Sequence, residues 1–239
     1  PIPIPPLDVQ AEIVRILDTF TAVTAELTAE LTAELNMREK QYQYYRDKFL
    51  SFSSDEINWK ILGELGQLIR GNGLQKSDFT EDGFPAIHYG QIYTFYGTST
   101  TETKSFVSYE LAKKLKKVDK GDVVITNTSE NLEDVGKALL YLGDKQAVTG
   151  GHATIFKPSE EILGKYFAYY TQTRDFFDQK RKLAKGTKVI DVSATDMAKI
   201  IIPIIPVHEQ KRIVEILDKF ETLTHSITEG LPKEITLRE

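Results

Sequence analysis

Apolar residues at Ile13, Ile16, Leu17, Phe20, Val23, Leu27, Leu31 and Leu35 recur at steps of three and four, the stripe of an α-helix. Tyr42, Tyr45 and Phe49 prolong the stripe, and SFSSD at 51–55 interrupts it. The pattern therefore predicts one helix from about residue 8 to residue 50, roughly 60 Å long. So long a rod needs a partner helix to bury its apolar side. Within it TAELTAELTAEL, residues 24–35, places a leucine every fourth position among strong helix formers. Adding or removing one tetrapeptide would lengthen or shorten the rod by about 6 Å and turn it by roughly 40°. Such a segment is a ruler.

From Ile57 and Trp59 the periodicity changes. Glycines at 71, 73, 83, 90 and 97 punctuate short β-prone runs: FPAIHYGQIYTFYG at 84–97, DVVITN at 122–127 and AVTGGHATIF at 147–156. Two short helices are expected between them. One follows Ser108, and one follows Ser159 with Ile162, Leu163, Tyr166, Phe167 and Tyr170 on one side. Ser193, with Asp196 three residues on, has the spacing of a capping pair.

The helix-opening stretch then returns. IPIPPLDVQAEIVRILDTF, residues 2–20, reappears as IPIIPVHEQKRIVEILDKF, residues 202–220, with 11 identities in 19 positions at a constant offset of 200. Fainter matches continue through Thr24/Thr224, Leu31/Leu231 and Glu34/Glu234 to Arg38/Arg238 and Glu39/Glu239. Two helices with apolar stripes, one at each end of the chain, are expected to bury them against each other, within one molecule or between two. The expected class is α+β. One mixed α/β domain with a curved sheet, residues 55–200, is inserted between two long antiparallel coiled-coil helices, residues 1–54 and a truncated second copy at 201–239. Ile13, Leu17, Phe20, Leu27, Leu31, Leu35, Ile213, Leu217 and Phe220 are the candidate residues for dimer or subunit contacts.

Composition changes this picture in two ways. The 239 residues include no cysteine, which removes disulfides, zinc knuckles and thiol catalysis and fits a reducing, cytoplasmic setting. The net charge of −5 lies in the helical ends: residues 1–54 carry 5 basic and 8 acidic groups, 201–239 carry 5 and 7, and the middle carries 20 of each. Within that neutral middle the basic groups cluster, with five lysines in KKLKKVDK at 113–120 and five basic residues in QKRKLAKGTK at 179–188. Local basic faces of this kind can follow a phosphate backbone.

Catalytic motifs are missing. Gly136-Lys137 and Gly164-Lys165 lack the rest of a phosphate loop, and His88, His152, His208 and His225 have no metal-ligand spacing. Polar, glycine-rich loops at 71–79, 88–105 and 126–131 instead carry side chains able to meet base edges. The candidate DNA-binding residues are Lys76, Tyr89, Gln91, Tyr93, Asn127 and Thr128 in these loops. Lys180, Arg181, Lys182, Lys185, Thr187 and Lys188 are the phosphate-contacting candidates.

The duplicated helix entry, the TAEL tetrapeptides, QYQYYRDKFLSF at 41–52 and GTKVIDVS with IIIPIIP at 186–206 resemble the specificity subunit of type I restriction-modification systems. The resemblance implies a target recognition domain that reads one half of a bipartite site on double-stranded DNA. It also implies helices that dock modification (methyltransferase) subunits, with restriction and motor subunits joining the complex. The methyl donor would be used by the modification subunit, so no cofactor is expected here and the chain is not expected to be an enzyme. Family members carry two recognition domains and this chain has one. The expectation is therefore a half-subunit that acts as a homodimer on a symmetric site, without contact with a membrane. The alternative is a helical adaptor that competes with full-length specificity subunits without reading DNA.

Overall fold

The computed structural model describes residues 2–53, 57–225, 233 and 235–237. Leu231, Glu234, Arg238 and Glu239 of the fainter repeat, and the boundary expected at 54/55, lie outside the described residues. The chain divides into two compact units, residues 1–45 with 216–239 and residues 46–215. Its helices are α1 (Leu7–Leu50), α2 (Tyr89–Thr94), α3 (Tyr109–Ala112), α4 (Gly164–Tyr170), α5 (Arg174–Leu183), α6 (Ala194–Met197) and α7 (Val207–His225).

The predicted rod is α1, a single helix of 44 residues, about 66 Å long. Its threonines return hydrogen bonds to the preceding turn, Thr21 to the Leu17 carbonyl at 2.9 Å and Thr32 to the Thr28 carbonyl at 2.8 Å. Arg38 reaches Glu34 at 3.2 Å on the exposed side. In the same unit the Tyr45 ring of α1 stacks on Phe220 of α7, with centroids 5.5 Å apart, so the two helices pair within one chain. Leu27, Leu31 and Leu35 are half-buried and Leu217 is fully buried, whereas Ile13, Leu17 and Phe20 are exposed.

In the other unit, two five-stranded sheets form the domain. One runs in the order 66–70, 153–158, 123–126, 138–141, 99–100, and the other 79–80, 105–107, 84–87, 147–149, 116–118. Strand alternation splits neighbouring residues between two cores. Ile87 and Ala147 join Val124, Leu139, Tyr141, Ala153 and Ile155 in one cluster, while Ala86 and Val148 join Val107, Ala112 and Leu115 in another. A separate antiparallel pair joins Asn58–Ile61 to Ile201–Ile204. Pro203 is tolerated there because a two-stranded ribbon has only edges.

Local capping explains two of the short helices and corrects a third. The Ser108 hydroxyl accepts from the Leu111 amide at 3.2 Å, and Ser193 accepts from the Asp196 amide at 3.1 Å. Ser159 caps no helix. Its hydroxyl accepts from Glu161 at 3.4 Å, and α4 begins five residues later behind Leu163 without a side-chain cap. The run at 84–97, read as β-prone throughout, is a strand only over Phe84–Ile87. The His88 ring then accepts from the Gly90 amide at 3.2 Å and opens α2.

Candidate nucleic-acid interface

Short pairings bring residues that are far apart in sequence to one end of the domain. Thr128 and Ser129 form a two-residue strand against Ile190 and Asp191, with Thr128 opposite Asp191 and Ser129 opposite Ile190. Lys185 and Asp191 exchange backbone hydrogen bonds of 2.9 and 2.8 Å, which closes residues 185–191 into a ring. Gly186 makes that closure possible. It has φ of 96°, and a Cβ there would come within 2.1 Å of the Val189 carbonyl oxygen. The Arg70 guanidinium holds the ring from the other side, 3.2 Å from the Asp191 carboxylate and 2.9 Å from the Gly151 carbonyl.

Beside the ring stands an aromatic row. The Thr128 hydroxyl is 2.7 Å from Nδ1 of His152. The His152 ring lies 4.9 Å from Tyr89, which lies 4.6 Å from His88 and 6.4 Å from Tyr93. Burial, and after it the neighbouring His152 and Lys76, push the His88 imidazole below its ordinary pKa. Burial and the neighbouring Tyr89 push the Tyr93 phenol up, against a hydrogen bond with Ser129 that lowers it. Both groups are therefore neutral at physiological pH and keep donors and acceptors suited to base edges.

The candidates fall into two groups. Tyr89, Tyr93, Thr128 and the ring residues Lys185, Thr187 and Lys188 are brought together, and Lys76 in a short 3-10 turn is near enough to bias His88. Lys182 and Lys188 are exposed and, among the described residues, make no ion pair. Lys185 is exposed but binds the Asp196 carboxylate at 2.8 Å, and Arg181 lies 3.4 Å from Asp178. Lys199 at 2.7 Å joins Lys185 and Ser193 on Asp196, and together they hold that carboxyl far below the usual range.

Three candidates have inward roles. Lys180 is buried, and its ammonium donates to the Glu133 carbonyl at 3.1 Å and to the Val135 carbonyl. Burial lowers its pKa to about 8. Asn127 is buried, accepts from the Thr154 hydroxyl at 2.7 Å, and bonds through its backbone to His152 and Val192. The Gln91 amide donates to Ser105 at 2.6 Å beneath α2. Sequence reasoning missed His88, His152, Arg70 and Asp191. The two histidines are 64 positions apart, and only the fold makes them neighbours of one tyrosine.

Among the described residues no His, Asp and Glu cluster could hold a metal, and no helix is long and apolar enough to cross a membrane. Comparison with known proteins identifies the family. The profile of the family described as "Type I restriction modification DNA specificity domain" matches residues 1–37 and 55–237. The chain is 40% identical over 248 residues to the EcoR124I/EcoR124II specificity subunit of Escherichia coli, covering 100% of this chain and 59% of the relative. It is 37% identical to a putative type I restriction enzyme specificity subunit of Haemophilus influenzae, covering 98% of this chain and 59% of that one. The HsdS subunit of Thermoanaerobacter tengcongensis has a similar fold, with a TM-score of 0.61 at 19% identity over 99% of this chain and 57% of that one. A chain solved in work on complex assembly and conformational transition of the type I R-M system gives a TM-score of 0.69 at 20% identity, again over 99% and 57%. The chain thus spans about 59% of the length of the curated relatives it matches.

Proposed function

The chain belongs to the family of type I restriction-modification DNA specificity proteins, and from that premise we propose that it is the non-catalytic component that reads one half of a bipartite DNA site. The observation that carries this reading is the convergence of Tyr89, Tyr93, Thr128 and His152 with the ring at 185–191. Phenol, hydroxyl and imidazole groups supply hydrogen-bonding edges, and Lys182 and Lys188 supply exposed positive charge for the phosphates beside them. Lys180 belongs to the support of this surface, because two carbonyls already occupy its ammonium.

In this reading α1 and α7 dock modification subunits, which bring the methyl donor and perform the chemistry, and restriction subunits join through them. Two copies act together on a symmetric site, with the TAEL steps setting the unread gap. Twofold symmetry then requires inverted, identical half-sites at one separation. The test is to sequence the methylated positions in cells carrying this chain with its modification subunit. A symmetric interrupted motif is expected, and a motif with unrelated halves would overturn the homodimer.

A further inference from the structure

Asp175, Asp178, Gln179, Lys182 and Leu183 follow the spacing of a single face of α5, and together they line a cavity of about 620 Å³. Trp59 and Ile201, one from each strand of the antiparallel ribbon, line it as well, with Tyr170, the last residue of α4. Gln179 fixes the distance between helix and ribbon. Its side-chain amide donates to the Ile201 carbonyl at 2.9 Å and accepts from the Ile201 amide at 2.8 Å, in the place of a neighbouring strand. All of these residues belong to the unit 46–215.

Buried polar atoms at this cavity lack partners. Tyr170 is 0% exposed, yet among the described residues its hydroxyl makes no hydrogen bond, and neither does the indole N–H of Trp59. Oδ1 of Asp178 likewise accepts no hydrogen bond, although the Arg181 guanidinium lies 3.4 Å from it. Burial, and after it the neighbouring Asp175, push the Tyr170 phenol up, so it keeps its proton and can donate. Buried polar atoms left unpaired are costly. Two donors and one acceptor at one cavity therefore favour an occupant that offers carbonyl oxygens and an N–H. Charge is graded along the same groove. Asp175 and Asp178 stand towards the start of α5, and Lys182 comes seven residues after Asp175, about 10 Å along the axis. Asp175 and Lys182 are exposed and, among the described residues, make no ion pair.

We propose that this groove is a binding site for a free, extended tripeptide, with its ammonium end at Asp175 and its carboxylate end at Lys182 and Lys199. The length agrees, since three extended residues span about 10 Å, the axial distance from Asp175 to Lys182. Carbonyl oxygens of the peptide accept from the Trp59 indole and the Tyr170 hydroxyl, and a peptide N–H donates to Asp178. Leu183 and Ile201 receive an apolar middle side chain. Nucleic acid does not fit this groove, because its phosphates would face Asp175 and Asp178. The inference is independent of the reading of DNA. Lys182 is shared with the phosphate contact proposed above, so binding is measured without DNA.

Trp59 is the single tryptophan of the chain, so indole emission reports on this groove alone. Titration of the full-length chain with alanyl-leucyl-alanine is expected to change that emission saturably. The same peptide with its amino end acetylated and its carboxyl end amidated should bind at least about tenfold more weakly, having lost both charges. Tyr170→Phe and Asp175→Asn should each weaken the free peptide at least about threefold. Tyr170→Phe should leave the urea midpoint of the free chain unchanged or higher, because the hydroxyl it removes has no partner there. Calorimetry of the same titrations detects binding that leaves the indole unaffected. Absence of both a saturable emission change and a heat of binding would overturn the site. Equal binding of the blocked peptide, or unaltered affinity in both variants, would overturn it too. A lower midpoint for Tyr170→Phe would make its hydroxyl part of the folded core and remove it from the site.

Discussion

The Thr128 hydroxyl and Nδ1 of His152 meet at 2.7 Å and join the strand that carries the basic ring to the tyrosine row of α2. Replacing Thr128 by valine keeps the shape, removes the bond, and leaves the His152 ring without its orienting partner. Discrimination between cognate and altered half-sites is expected to fall, by about 1–3 kcal/mol per misread base pair, while binding to unrelated DNA changes little. Competition binding with single-base variants of the methylated half-site measures this directly.

In the proposed reading Lys182 and Lys188 contact phosphates. Changing both to glutamine should weaken binding to all sequences alike and reduce the slope of log K against log salt by about 2, one for each contact. Lys76→Gln, at the opposite side of the aromatic row, is expected to add to this effect. A titration series at several salt concentrations separates such a uniform loss from a change in specificity.

Lys180 gives a pH prediction with a definite sign. Its folded pKa, lowered to about 8 by burial, lies below that of the unfolded chain, so between the two values the unfolded state binds more protons. Stability contributed at this position therefore rises as pH increases from about 8 towards 10, by at most roughly 3 kcal/mol. Lys180→Met, which retains the aliphatic stem, should abolish that rise. Urea unfolding of both proteins across this range is the measurement.

Removing Ser193 tests the junction below the ring. Its hydroxyl caps α6 at 3.1 Å and donates to Asp196 at 2.9 Å. Ser193→Ala should destabilise the chain by about 1 kcal/mol, seen as a lower denaturation midpoint with the same slope.

Deleting one TAEL tetrapeptide shortens α1 by about 6 Å. The unread gap in the methylated motif is expected to contract while the bases of each half-site stay the same. Methylome sequencing of cells carrying the shortened chain would report both quantities together.

The legible parts of the fold were those with a local physical cause. The period of α1 follows from leucines at steps of four, and the caps at Ser108 and Ser193 follow from a hydroxyl three residues ahead of an amide. At 84–97 β-propensity was the weaker influence. The His88 ring supplied a cap that residue-type preferences do not register, and α2 formed where a strand was expected. In the candidate surface, composition pointed to polar loops but could not give the direction of their side chains. Lys180 stands in a run of cations and points inward, because Gly136 (φ 79°) shapes the turn whose carbonyls receive it. His152 was passed over for lack of ligand spacing, since its role depends on Thr128 and Tyr89 from two other segments.

The ring at 185–191 is closed by main-chain groups and one glycine, so its outline does not depend on what Thr187 or Lys188 happen to be. Natural selection can therefore exchange those tips for others, and with them the strength of the grip on a phosphate, while the loop keeps its outline. Diversity among related recognition proteins should accumulate at such positions and spare Gly186.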